Sequence, residues 1–120
     1  HEHADIADEW FRKGGLADRI TVHRGPALEL VPGLRGPYDL CFLDGAKRDN
    51  LPLLKLCIER TRSGGLILVD NAFSSGALGC NRDDPDQKGT LETLQLALQS
   101  DQLDAVVTPV ADGILTCRRL

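Results

Sequence analysis

Two aspartates stand directly after apolar runs of the sequence, where a chain built from parallel strands would leave its sheet. Asp44 follows the first run, and Asp70 and Asn71 follow the second. Carboxylate and amide oxygens suit a hard divalent cation such as Mg²⁺ or Ca²⁺, and they do not suit zinc or copper. Lys47, three residues beyond Asp44, is close enough to act on a molecule bound to that cation. The aspartates could instead cap strand-to-helix turns, so spacing alone leaves both interpretations open.

The elements around these residues predict that they share one edge of a sheet. Short β-type runs alternate with amphipathic helical runs, which indicates an α/β fold with a mostly parallel sheet. Ligands of such sheets gather at the carboxyl ends of the strands. The predicted strands are residues 19–23, 38–43, 66–69, 104–110 and 114–120. The predicted helices are residues 4–13, 27–30, 51–62 and a segment with Leu91, Leu94 and Leu98, for which Thr90 is the expected N-cap.

A hairpin at the end of the chain adds one antiparallel strand to the predicted sheet. Its two strands flank Ala111-Asp112-Gly113, a sequence typical of a tight turn. Residues 74–89 are polar and rich in glycine and aspartate, which predicts a loop. Aspartates in this loop could form a second cation site, and histidines near the start of the chain could be ligands, but solvated side chains are the better interpretation for both. These residues are Asp83, Asp84, Asp86, His1 and His3.

The composition is that of an ordinary soluble domain. The 120 residues are 42% hydrophobic and 27% charged, which fits one domain and argues against disorder. The net charge of -4 argues against nucleic-acid and anionic-membrane partners, because both attract clustered cations. No apolar run approaches the roughly 18 residues that cross a bilayer. No signal-peptide pattern opens the chain, so we expect a soluble cytoplasmic protein.

The cysteines indicate neither a zinc site nor a disulfide framework. No two of them have the Cys-x-x-Cys spacing, and three lie in apolar stretches. We expect reduced thiols that pack as small hydrophobes, in keeping with a reducing compartment. The four are Cys41, Cys57, Cys80 and Cys117.

Three longer motifs occur in order along the chain. They are Phe42-Leu43-Asp44-Gly45-Ala46-Lys47, Gly64-Gly65-Leu66-Ile67-Leu68-Val69-Asp70-Asn71 and Pro109-Val110-Ala111-Asp112-Gly113-Ile114. The ordered set resembles the cation-dependent O-methyltransferase family, which includes caffeoyl-CoA and catechol O-methyltransferases. Residues 25–28 resemble the stretch after that family's third strand. The resemblance extends over nearly the whole chain, from the helix at Ala4 to Arg119.

The resemblance implies a Rossmann-like class I methyltransferase fold of the α/β class, with a mostly parallel sheet and a C-terminal antiparallel hairpin strand. Residues 1–120 would form the C-terminal portion of a single methyltransferase domain. The family's glycine-rich loop and the acidic residue that holds the cofactor ribose have no counterpart in this sequence. We expect them, with the N-terminal strands, upstream of His1. The absence of methionine and the start inside a predicted helix agree with this expectation.

The resemblance also implies roles for individual residues. Asp44, Asp70 and Asn71 match the family's metal ligands. Lys47 matches the lysine beside the acceptor hydroxyl, so Lys47 and Asp44 are the candidate catalytic residues. The implied cofactor-binding residues, near the adenine ring, are Gly25, Pro26, Ala27 and Asp44.

The function implied is a methyl transfer that depends on S-adenosylmethionine and on a divalent metal, Mg²⁺ or else Ca²⁺ or Mn²⁺. The expected acceptor is a small vicinal diol of the catechol type, and the expected assembly is a homodimer. Asn50, Leu51 and residues 72–74 depart from the family's acceptor-pocket pattern, which leaves the acceptor class open. The alternative function is a non-catalytic binding or assembly module built from a truncated methyltransferase fold. A dehydrogenase half-domain is disfavoured because the sequence contains no G-x-G-x-x-G.

Overall fold

The computed structural model describes residues 2–120, so that His1 and its suggested role lie outside the described residues. Eight helices and strands follow one another along the chain. They are α1 (Glu2–Lys13), α2 (Ala27–Leu30), β1 (Tyr38–Leu43), α3 (Asn50–Arg60), β2 (Thr61–Asp70), α4 (Pro85–Gln99), β3 (Leu103–Thr108) and β4 (Ile114–Arg119). Single 3₁₀ turns occupy Val31–Gly33, Lys47–Asp49 and Ser74–Gly76.

The four strands form one sheet in the order β1-β2-β4-β3. β1 pairs with β2 in parallel, and β4 pairs antiparallel with both β2 and β3. The predicted antiparallel hairpin strand is therefore confirmed. It lies between β2 and β3 and not at the outer edge of the sheet. Since a tight turn joins β3 directly to β4, the two strands must run in opposite directions.

The core lies on one face of the sheet, beneath α3 and α4. Leu54 of α3, Ile67 of β2 and Leu115 of β4 are at most 1% exposed, and Ala97 brings α4 into the same cluster. Burying a leucine or isoleucine side chain stabilises a fold by about 1.5–3 kcal/mol. Cys117 is also fully buried in this cluster, and burial raises the pKa of its thiol to about 11. The cysteines among residues 2–120 are all free, but Cys80 is exposed, so the expectation that it packs as a small hydrophobe is wrong.

The opposite face of the sheet carries exposed apolar side chains. Leu40 and Phe42 of β1 are each more than half exposed, and Val106 of β3 is 58% exposed. Successive residues of a strand point to opposite faces, so the residues between them, such as Cys41, pack against the core instead. Among residues 2–120, no helix is both long and apolar enough to cross a membrane.

The predicted first strand, residues 19–23, is wrong. Its alternation is visible, because Ile20 and Val22 are half-buried while their neighbours are exposed, yet no strand forms there. The backbone amides of Arg19 and Ile20 instead donate to the carbonyl of Leu16 in a turn. A strand requires a neighbour that accepts its ladder hydrogen bonds, and the four-stranded sheet places none beside this segment.

The boundary between α3 and β2 also differs from the prediction. The helix ends at Arg60 and not at residue 62, because Thr61 is already extended. β2 then runs through the glycines that the sequence suggests as a helix stop, with an irregular register opposite Tyr38. Gly65 is required there, since a Cβ would lie 2.6 Å from Thr61 Cγ2 and 3.0 Å from the Asp39 carbonyl oxygen.

The predicted loop of residues 74–89 is too long, because α4 begins at Pro85. Asp84 is the N-cap, and its Oδ1 accepts hydrogen bonds from the backbone amides of Asp86 (2.8 Å) and Gln87 (3.1 Å). Aspartate at the N-cap followed by proline at N1 is a strong start signal for a helix. Thr90 is therefore not the N-cap. It lies inside α4, where its hydroxyl donates to the carbonyl oxygen of Asp86.

Candidate functional site

The register of the two parallel strands brings the two strand-end aspartates together. Leu43 of β1 is paired with Val69 of β2, so the next residues, Asp44 and Asp70, are neighbours across the two strands. Adjacent strands lie about 4.8 Å apart, so both residues stand at the carboxyl edge of the sheet, at the ends of neighbouring strands. The sequence predicts a shared edge for these residues, and the register adds that they are side by side.

Asn71 leaves β2 through a sharp backbone turn. Its φ of 58° lies in the left-handed region, which asparagine tolerates better than most residues. The backbone amide of Asn71 donates to Oδ1 of Asp70 at 2.7 Å. Oδ1 of Asp70 thus stabilises the turn, while Oδ2 takes no part in this hydrogen bond. Asp70 therefore contributes to the position of Asn71 as well as to the negative charge of the site.

Lys47 reaches back to the first aspartate from the 3₁₀ turn that follows β1. Its Nζ lies 3.4 Å from Oδ1 of Asp44. The lysine side chain is 19% exposed and the Asp44 side chain 55% exposed, so the contact lies at the protein surface and the lysine is its less exposed partner. The structure therefore brings these two candidate catalytic residues into contact.

An open cleft of about 390 Å³ runs from Lys47 and Asn71 to the N-terminus of α4. Sequence reasoning does not predict that these residues share one wall, because the wall is assembled from three separated segments. The further lining residues are Ser74, Ser75, Asp84, Asp86, Gln87 and Asp112. Every one of them is polar, so the cleft is suited to a small polar molecule with hydroxyl groups.

Hydrogen bonds join the segment after β2 to the turn before β4. Both carboxylate oxygens of Asp112 accept from the backbone amide of Ser75, at 2.7 and 2.9 Å. The backbone amide of Phe73 donates to the Asp112 carbonyl oxygen, and that of Ala72 donates to the carbonyl oxygen of Gly113. In the sequence, Asp112 is marked only by its place in the Ala111-Asp112-Gly113 turn motif. That motif predicts a turn but does not predict the hydrogen bonds from Ser75.

Gly113 allows this junction to close. Its φ is +78°, and a Cβ would lie 2.6 Å from the ring of Phe73. We expect Gly113→Ala to lower the free energy of unfolding by about 1–3 kcal/mol, because alanine adds both left-handed strain and a clash. Urea unfolding measures this change. Gly33→Ala is the matched control, since Gly33 has open space around its Cβ position and no left-handed φ. Equal stability of the two variants would contradict the expectation.

The second cation site suggested for the acidic segment before α4 finds no support. Asp84 caps the helix, and Oδ1 of Asp86 accepts from the backbone amide of Arg48 at 3.0 Å and pairs with its Nε at 3.1 Å. The structure shows no metal-binding cluster of three or more His, Cys, Asp or Glu side chains among residues 2–120. His3 is exposed on α1.

The donor set at the strand ends nevertheless fits a hard divalent cation. It consists of two carboxylates, from Asp44 and Asp70, and the amide oxygen of Asn71. The register places the first two residues side by side, and Asn71 follows directly. Two carboxylates with one amide leave coordination positions open for water or for a hydroxylated ligand.

The positions that depart from the family's acceptor-pocket pattern are placed differently from one another in the structure. Asn50 is fully buried, with both its amide nitrogen and its oxygen unpartnered, and does not line the cleft. Ala72 is also buried, whereas Ser74 does line it. The residues suggested for the adenine side lie at the start of α2, outside this cleft, and their role stays a prediction. They are Gly25, Pro26 and Ala27.

Comparison with known proteins identifies the family. A family model described as O-methyltransferase matches residues 1–120. The chain belongs to the O-methyltransferase family. Among curated relatives, a catechol O-methyltransferase from Mycobacterium tuberculosis is 37% identical to this chain over 105 residues. The match covers 87% of the chain and 48% of the relative. The chain is 34% identical over 122 residues to caffeoyl-CoA O-methyltransferase 1 from Eucalyptus globulus, covering 92% and 50%.

Solved structures share the fold of this O-methyltransferase family chain. An O-methyltransferase from Bacillus cereus, in complex with SAH, matches with a TM-score of 0.92 and 25% identity over all of this chain and 59% of that one. A cofactor-bound protein from MTB matches with a TM-score of 0.89 and 33% identity over 98% and 56%. The predicted Rossmann-like methyltransferase fold is thereby confirmed. The chain spans about half the length of the curated relatives it matches.

Proposed function

We propose that the protein is an O-methyltransferase that depends on S-adenosylmethionine and on a divalent metal, and that it acts on a small vicinal diol of the catechol type. The observation that carries the proposal is the edge of the sheet where Asp44 and Asp70 are register neighbours and Lys47 contacts Asp44 at 3.4 Å. The catechol and caffeoyl-CoA O-methyltransferases among the relatives support the acceptor class, and the complex with SAH supports the cofactor.

Asp44, Asp70 and Asn71 would hold the metal, for which Mg²⁺ is the first candidate and Ca²⁺ or Mn²⁺ the others. A divalent cation held there supplies positive charge that lowers the pKa of a neighbouring hydroxyl and fixes its orientation. The protein's part is to keep the two carboxylates adjacent through the β1–β2 register and to turn Asn71 toward the cleft through the Asp70 hydrogen bond.

Lys47 would act at the acceptor oxygen. Methyl transfer is an in-line displacement in which an oxygen–carbon bond forms as the sulfur–carbon bond of the sulfonium breaks, giving a methyl ether and S-adenosylhomocysteine. The amine of Lys47 accepts the hydroxyl proton, or its ammonium stabilises the oxyanion. Asp44 keeps the lysine at the inner wall of the cleft, where the side chain is 19% exposed. We also propose Gly25, Pro26, Ala27 and Asp44 as cofactor-binding residues.

Other parts of the proposal rest on the sequence and on the family resemblance. We propose a homodimer, a cytoplasmic location and small-molecule partners, without nucleic-acid or membrane partners. The polar lining of the cleft supports an acceptor with hydroxyl groups, because apolar molecules gain nothing from such a wall.

A methyl-transfer assay tests the proposed function. The complete gene product is incubated with S-adenosylmethionine and catechol in the presence of Mg²⁺, and the O-methylated product is measured by mass spectrometry. We expect product formation that stops when EDTA is added and resumes with excess Mg²⁺. Undiminished transfer in EDTA would show that the metal assignment is wrong. No transfer to any vicinal diol, together with stable binding to another protein, would favour the non-catalytic assembly module.

A further inference from the structure

The turn that carries Lys47 packs directly against α4. Gly89 of α4 is buried, and a Cβ at this position would overlap the carbonyl oxygen of Lys47 and lie 2.8 Å from Cα of Arg48. Only a residue without a side chain therefore allows the helix to come this close to the turn. Inside a helix, glycine is less stabilising than alanine, so helix propensity does not explain why a glycine occupies position 89.

A second contact joins the same two segments. Oδ1 of Asp86, one turn before Gly89, accepts from the backbone amide of Arg48 at 3.0 Å and lies 3.1 Å from Nε of Arg48. Asp86 is itself oriented, because its backbone amide donates to the capping carboxylate of Asp84 at 2.8 Å. The first turns of α4 thus hold the backbone at Lys47 and Arg48 by close packing at one point and by charge-assisted hydrogen bonds at another.

We propose that Gly89 and Asp86 are positioning residues for Lys47, setting where its amine lies relative to Asp44 and the acceptor oxygen. This inference rests on the proposed function of Lys47. The amine is attached to a 3₁₀ turn of three residues, which has little structure of its own to resist displacement. A shift of about 1 Å in a group that acts at the reacting atoms costs up to about a hundredfold in rate.

Substitutions in the complete gene product test the proposal. We expect Gly89→Ala to lower kcat about tenfold or more, because the added methyl displaces the turn, while the Kd for S-adenosylmethionine is unchanged. Asp86→Ala is expected to lower kcat as well, and Asp86→Asn, which keeps an oxygen acceptor for the Arg48 amide, to restore part of it. Gly33→Ala is the matched control and should leave kcat unchanged. A crystal structure of Gly89→Ala should show the Lys47 backbone displaced from α4.

A double-mutant cycle separates positioning from a general loss of structure. If Gly89 acts through Lys47, adding Gly89→Ala to Lys47→Ala should lower kcat no further. The proposal would be overturned if Gly89→Ala lowered kcat by the same factor in the parent protein and in Lys47→Ala. It would also be overturned if Gly89→Ala kept the wild-type kcat, or if its crystal structure showed the Lys47 backbone unmoved. Should Gly89→Ala not fold, the same cycle with Asp86→Ala decides. A fully active Lys47→Ala would instead show that the proposed role of Lys47 is wrong, which is a separate failure.

Discussion

Replacing Asp70 by alanine is expected to lower divalent-ion-dependent methyl transfer on the order of a hundredfold or more while the fold survives. The substitution removes one proposed ligand oxygen, one negative charge and the acceptor that holds the Asn71 amide at 2.7 Å. Asp70 stands at a strand end and not in the buried core, so its loss leaves the packing of β2 in place. Initial rates measured against Mg²⁺ concentration, with circular dichroism of the same samples, provide the test.

Two further variants sharpen this test. Asp70→Asn keeps an acceptor for the Asn71 amide and an oxygen beside Asp44 but loses the charge, so we expect an intermediate rate and a higher Mg²⁺ requirement. Asp101→Ala removes an exposed carboxylate outside the cleft and should keep the parent rate. The proposed metal role of Asp70 is wrong if Asp70→Ala and Asp101→Ala respond to Mg²⁺ in the same way.

Replacing Lys47 by alanine is expected to lower kcat by about 10²- to 10⁴-fold, the range that general acid–base catalysis contributes. The Kd for S-adenosylmethionine should change little, because the proposed role is at the acceptor oxygen. Single-turnover rates and cofactor titration measure the two effects separately. Lys55→Ala is the matched control, since Lys55 is exposed on α3 and lines no part of the cleft.

Lys47→Arg distinguishes a proton acceptor from a fixed charge. A guanidinium stays protonated in proteins, so arginine can stabilise an oxyanion but cannot accept the hydroxyl proton. We expect a partial recovery of kcat relative to Lys47→Ala. Recovery to the parent rate would show that Lys47 supplies only positive charge, and no difference between the alanine and arginine variants would show that charge contributes nothing.

The positions of the candidate residues could be predicted because strand ends leave a local signal, whereas their chemical roles came from the family resemblance. The strands of a mostly parallel sheet end in apolar runs, so the first carboxylate after such a run marks the carboxyl edge of the sheet, as Asp44 and Asp70 do. The order of elements follows from the same periodicity, and β1, β2, β3 and β4 are confirmed within a few residues. The alternating segment 19–23 shows the limit of that signal, because alternation specifies a face and not a partner strand.

What the sequence by itself determined is therefore local: which runs are apolar, where they end, and which acids, amide and lysine stand at those ends. Tertiary structure alone decided the β1–β2 register that makes Asp44 and Asp70 neighbours, the Ser75–Asp112 hydrogen bonds that build the cleft wall, and the approach of α4 to the Lys47 turn. The reason is physical. Each of these contacts joins segments more than 20 residues apart, and their geometry is set by packing and hydrogen bonding between elements that short-range patterns describe one at a time.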